Sequence, residues 1–117
     1  MDIENLAKAL KVLESAERSV IDDVGKYVIV RTLSAGVFAG NLQSRCGQEV
    51  VLKNARRLWK WAGAASLSEL AERGTSKPAE CQFPCEVARV ELLQVIEILD
   101  VQPGAEASIK GVPVWTR

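Results

Sequence analysis

Histidine is missing from this 117-residue chain. With it go the commonest general base, the usual catalytic triads and most zinc and iron site designs. Net charge is missing too. The 15 Lys+Arg residues balance 15 Asp+Glu, which argues against non-specific binding to long nucleic acid, because that needs a broad basic surface. No run approaches the roughly 20 apolar residues that a membrane-crossing helix requires. The start, Met1-Asp2-Ile3-Glu4-Asn5, carries acid where a secretory signal carries base. Cysteine is scarce and odd in number: Cys46, Cys81 and Cys85. Without an export signal these read as reduced thiols in a cytosol. Cys81 and Cys85 flank Gln82-Phe83-Pro84, but one further cysteine and no histidine cannot complete a metal site. The serine-elbow pattern GxSxG and the phosphate loop GxxxxGK[ST] are also absent, so Ser34, Ser66 and Ser68 have no partner to activate them. The expectation is a cytoplasmic, non-enzymatic protein with no metal, no cofactor and no membrane contact.

What is present is ordinary globular chemistry, 48% hydrophobic and 26% charged. At this length one domain, residues 1–117, is expected to bury roughly two-thirds of its unfolded surface. Ile3, Leu6, Ala7, Leu10, Leu13 and Ala16 recur at helical steps, which predicts an amphipathic helix over about 2–19. The body, about 26–115, is β-rich. Tyr27 to Leu33, Val37 to Leu42 and Glu49 to Leu52 read as three short strands, joined by Ser34-Ala35-Gly36 and by Ser44 to Gln48. Asn54 to Ala65 is ambiguous. A helix capped by Asn54 is permitted, while alternation through Arg56 to Ala62 favours a strand. Ser66 with Glu69 forms a capping box and Gly74 a stop, which predicts a short helix. Thr75 to Glu86 is expected as a loop, and Val87 to Leu92 and Val95 to Val101 as two strands or one bent strand. Pro103 opens a helix through Ile109, and Val112 to Trp115 is expected as an edge strand. The fold class is α+β: a mostly antiparallel sheet with an N-terminal amphipathic helix and two short helices.

The residues suited to ligand binding centre on Arg56 to Trp61. In a strand, Arg57, Trp59 and Trp61 share one face, and Arg56, Leu58 and Lys60 the other. Indoles stack on bases and arginine grips phosphate, so the stretch suits a nucleotide. Equally, both tryptophans could be core with the cations on its rim. Ser34 and Gly36 lie in a small-residue turn that a ligand anion could approach, with Arg31 just before it; the plain alternative is a β-turn or bulge. Phe83 is either an exposed stacking ring or a loop anchor. Asp22-Asp23, the adjacent acid pair, reads as a helix end.

The segments Tyr27 to Gly40 and Ala55 to Leu67 resemble a family of small phage-encoded proteins, the first Thoeris anti-defence family or "sponge" proteins. Cys81-Gln82-Phe83-Pro84-Cys85-Glu86-Val87, Ile96-Glu97-Ile98 and Ile109 to Trp115 fit the same pattern, so the resemblance spans about residues 27–115. It implies sequestration, without cleavage, of a nucleotide-derived immune signal such as glycocyclic ADP-ribose, and in some members of cyclic oligonucleotides made by CBASS enzymes. It also implies self-association as a dimer or hexamer, with pockets between protomers. Together with the chemistry above, it nominates Arg31, Arg56, Arg57 and Arg89 as phosphate contacts. Trp59, Trp61 or Phe83 would stack on a base, and Ser34 and Gly36 would donate hydrogen bonds. A different class of function remains open: a protein–protein inhibitor or accessory protein that uses the Trp/Arg-rich strand as its interface.

Overall fold

Side chains along Tyr27-Val28-Ile29-Val30-Arg31-Thr32 alternate between two sets, and both sets are buried almost throughout. That pattern asks for cover on both faces of the strand. In the computed structural model, which describes residues 25–116, the strands are β1 (Tyr27–Thr32), β2 (Val37–Cys46), β3 (Glu49–Arg57), β4 (Glu86–Leu92) and β5 (Val95–Asp100). Two short helices accompany them, α1 (Leu67–Arg73) and α2 (Pro103–Gly111), with a 3₁₀ turn at Pro78–Glu80. The sheet is antiparallel throughout, in the order β4-β3-β2-β1-β5. The class is therefore α+β. The helix expected over 2–19, and Asp22-Asp23, lie outside the described residues.

The connection between β4 and β5 shapes this sheet. The two strands occupy opposite edges, yet only Leu93 and Gln94 join them. Leu92 pairs beside Val50, and Val95 beside Thr32. In a flat sheet those positions would lie roughly 30 Å apart along the strands, while three residues reach about 11 Å. The sheet must curl. The β2–β3 hairpin folds over until the Gln48 carbonyl accepts a hydrogen bond from the Val95 N–H at 2.9 Å. Inside the curl Val28, Val30, Phe38, Leu42, Val50, Leu52, Ala55, Leu92 and Val95 form one core. On the outer face Tyr27, Ile29 and Ala39 join Leu58, Leu70, Phe83, Ile109 and Val112 in a second, beneath the helices.

Two offset irregularities make the bend. The β2–β3 register shifts between Ala39 and Asn41, where Asn54 takes a left-handed conformation at φ 51, and again between Leu42 and Ser44. Bulges of this kind add local twist. Gly40 sits inside the first, and a Cβ there would lie 3.0 Å from both Ala55 Cα and the Lys53 carbonyl oxygen.

Several sequence expectations change here. β3 runs unbroken from Glu49 to Arg57, so neither the helix capped by Asn54 nor a strand from Arg56 to Ala62 forms. Beyond Arg57 only an isolated bridge, Lys60 with Gln82, continues the extended chain. β2 reaches Cys46, leaving Gly47 and Gln48 as the hairpin loop. Val112 to Trp115 is not an edge strand; it contributes one parallel bridge, Val114 with Phe83. The capping box holds: Ser66 Oγ accepts from the Glu69 N–H at 3.2 Å. The Glu69 carboxylate accepts in turn from the Ala65 N–H, one residue before the cap. α2 runs on to Gly111.

Replacing Gly40 with Ala is expected to destabilise the fold by roughly 1–3 kcal/mol, because backbone on the facing strand has no room to retreat. Urea denaturation checks it. An unchanged midpoint would mean that the strands do not approach this closely.

Candidate functional site

Adjacent arginines in a strand project to opposite faces, and here the two faces have opposite fates. Arg56 turns outward from the curl, under the helical layer, and only 5% of it is exposed. Its guanidinium donates from Nε to the Pro84 carbonyl, from Nη1 to the Ile109 carbonyl and from Nη2 to the Phe83 carbonyl, each at 3.0 Å. It also lies 5.4 Å from the centroid of the Phe83 ring. Burial lowers its pKa, opposed by charge interactions with Tyr27 and Glu86. Three backbone carbonyls from two segments thus converge on one cation. Arg56 is a structural clamp, and the expectation that it grips a phosphate is corrected: the group is buried and three of its five N–H donors go to interior carbonyls.

Phe83 is corrected on the same ground. It is fully buried at the centre of the outer core, so it anchors its loop and has no face for a base. Trp61 also packs against that core, half-buried. The alternation expected from Arg57 to Trp61 has no strand to carry it, because β3 ends at Arg57: Trp59 is exposed and Trp61 packs on the outer core.

Arg57 faces the other way, paired across the sheet with Phe38. Its guanidinium lies 4.5 Å from the centroid of the Phe38 ring, and Nη1 donates to the Ala35 carbonyl at 3.2 Å. These two contacts hold an exposed arginine in a defined place while its remaining N–H groups face solvent. Trp59, two residues on, is 62% exposed.

The turn that supplies Ala35 is tied down by buried Thr32. The Thr32 hydroxyl donates to the Gly36 carbonyl at 2.8 Å and accepts from the Ala35 N–H at 2.8 Å. Gly36, at φ 98, completes the bend in a conformation that favours glycine. The Leu33 N–H donates to the Gln94 carbonyl at 3.0 Å, which fastens the turn to the β4–β5 connection. The Ala35 amide is thus taken. The amides of Ser34 and Gly36 have no protein partner among the described residues, and the Ser34 hydroxyl reaches only Gln94 Oε1, at 3.5 Å.

The structure therefore gathers Ser34, Gly36 and Arg57 at one rim of the curled sheet, with Trp59 just beyond. Arg31 lies on the opposite face of β1, where its Nε donates to Glu97 Oε1 at 3.1 Å. Arg89 is remote. It stands in mid-β4 opposite Lys53, four residues from Arg57 along β3 or about 13 Å, and pairs loosely with Glu91. Two residues that sequence reasoning missed, Phe38 and Thr32, orient this rim. No signal short of the β2–β3 register could have shown that Phe38 lies under Arg57. Among the described residues there is no group of three metal-ligating side chains, and no helix is long and apolar enough to cross a membrane.

Comparison with known proteins gives one finding. A family model, described as a domain of unknown function (DUF6948), matches residues 25–109, which covers the sheet, the β1–β2 turn of the rim and most of α2. No curated protein and no solved structure matches the chain.

The two arginines should behave oppositely on removal. Arg56→Ala removes three charge-assisted hydrogen bonds and leaves the Pro84 carbonyl without its donor, while the Phe83 and Ile109 carbonyls keep the N–H groups of Trp115 and Val112. It is expected to cost about 3 kcal/mol of stability. Arg57→Ala should cost about 1 kcal/mol or less. Equal losses in urea denaturation would contradict this assignment. Tyr27 offers a pH test. Burial, with Glu106 and Glu86 adding to it, raises its phenol well above the usual 10.0. The folded state holds this proton longer than the unfolded chain does, so the contribution is complete below about pH 10 and is lost as pH rises beyond it. Tyr27→Phe should flatten that alkaline loss, read as the melting temperature across alkaline pH.

Proposed function

The chain belongs to the DUF6948 family, and we propose that it binds and sequesters a small nucleotide-derived ligand at the rim built around Arg57. One observation carries this reading. Arg57 is exposed and charged, yet it is held by a ring beneath it and a carbonyl beside it. An arginine fixed in this way loses little side-chain entropy when it meets a phosphate, and its planar fork suits bidentate contact. The free amides at Ser34 and Gly36 add donors of the kind that cradle anions. Trp59 supplies an exposed ring of the kind on which bases stack, at about 1–3 kcal/mol each.

Sequestration fits these groups better than turnover. The chain has no histidine, and arginine, indole, hydroxyl and backbone amide hold charge and rings without moving protons near neutrality. The resemblance to the Thoeris anti-defence sponge family supplies the ligand class: glycocyclic ADP-ribose first, cyclic oligonucleotides second. In that setting the protein would work in the host cytosol, lowering the concentration of an immune signal.

A second reading has its own observation. Leu33, 66% exposed, is joined through its N–H to Gln94, next to exposed Leu93, so apolar side chains border the same rim. Exposed apolar and aromatic groups around an arginine also suit a protein partner.

Thermal melting with micromolar glycocyclic ADP-ribose and, separately, cyclic dinucleotides distinguishes the two. Ligand at a hundredfold its Kd should stabilise the protein by about 2.7 kcal/mol. Arg57→Ala should abolish that shift while leaving the ligand-free melt nearly unchanged, and heat denaturation should return intact ligand. Absence of any shift would favour the protein-partner reading, and recovery of cleaved product would overturn sequestration.

A further inference from the structure

β4 is an edge strand with nothing paired to its outer side among the described residues, and Glu86 to Arg89 and Glu91 are all exposed. Such an edge offers a row of backbone donors and acceptors to another strand. Its side chains identify what fits. In continuous antiparallel pairing of two identical strands about a two-fold axis, opposed residues share a face, so the axis must pass through a residue. Centring on Ala88 sets Val87 against Arg89, and Glu86 against Val90. Centring on Arg89 opposes two arginines, and centring on Glu91 opposes two glutamates.

Centring on Val90 does neither. Arg89 then faces Glu91 of the second copy and Glu91 faces its Arg89, with Val90 against Val90 between them. Ala88 meets Leu92, the last residue of β4. Within one chain Arg89 and Glu91 are only loosely paired, at 3.8 Å, with more than half of each side chain exposed. Both are free to make the cross-strand contact, which brings opposed groups closer than neighbours two apart on one strand.

We propose that β4 is the docking surface for a second copy of this chain, joined edge to edge about Val90 into a sheet continuous across both. The proposal does not rest on the ligand reading. The β4 edge and the Arg57 rim involve different side chains, and each can fail without the other.

Sedimentation equilibrium of the full chain, with Arg89→Glu, Glu91→Arg and the double variant carrying both, tests it. The unaltered chain should associate as a dimer. Each single reversal sets like charges against each other twice and should raise the dissociation constant about tenfold or more. The double variant restores opposite charges in the same register and should return the constant to within about threefold of the original. Melting curves for all four confirm that the fold is intact. A monomer at every concentration, single variants that associate unchanged, or a double variant that fails to recover would each overturn the proposal.

Discussion

Two residues, Leu93 and Gln94, carry the chain from one edge of the sheet to the other, and most of the molecule follows from how short that step is. A flat five-stranded meander cannot satisfy it. The sheet bends at Gly40 and Asn54 and again near Gln43, and bending gives it an inside. Nine apolar residues close that inside, and among the described residues no helix lies over it. The helices and the 58–85 connection are then free to cover the outer face. Both layers have cores of their own, and β1 belongs to each.

The connection also creates the rim. Because β5 begins beside Thr32, the β1–β2 turn is fastened to Gln94 as well as to its own strand. A turn held at three points can in turn hold Arg57. On the other side of the same strand, one residue earlier, Arg56 gathers the carbonyls of Phe83, Pro84 and Ile109, and so ties the loop and α2 to the sheet. Strand alternation splits two adjacent guanidiniums into a fastener and a presented charge. That division of roles, more than any pocket, is what the proposed binding rests on.

Much of this was legible from the chain. Strand identity came from β-branched runs, the capping box from Ser66 and Glu69, and the opposite facing of Arg56 and Arg57 from simple alternation. What was not legible depends on partners distant in sequence. Nothing local shows that Phe83 and Ile109 would roof Arg56, so alternation could say that the two arginines diverge but not which one stays in water. Asn54 read as a candidate helix cap, because asparagine suits that position; in the fold it takes a left-handed conformation at the bulge and β3 continues through it. Trp61 was grouped with Trp59 because the extent of β3 was misplaced. The geometry narrows the nine candidate residues to a smaller set around Arg57.

The most direct measurement is nitrogen-edited NMR of the arginine side-chain Nε–H groups during titration with glycocyclic ADP-ribose. The expected result is a slowly exchanging Arg56 signal that stays in place, and an Arg57 signal that exchanges fast in the free protein, then moves and becomes protected as ligand is added. An Arg56 signal that exchanges fast or moves with ligand, or an Arg57 signal indifferent to it, would contradict the division between clamp and contact on which the functional reading stands.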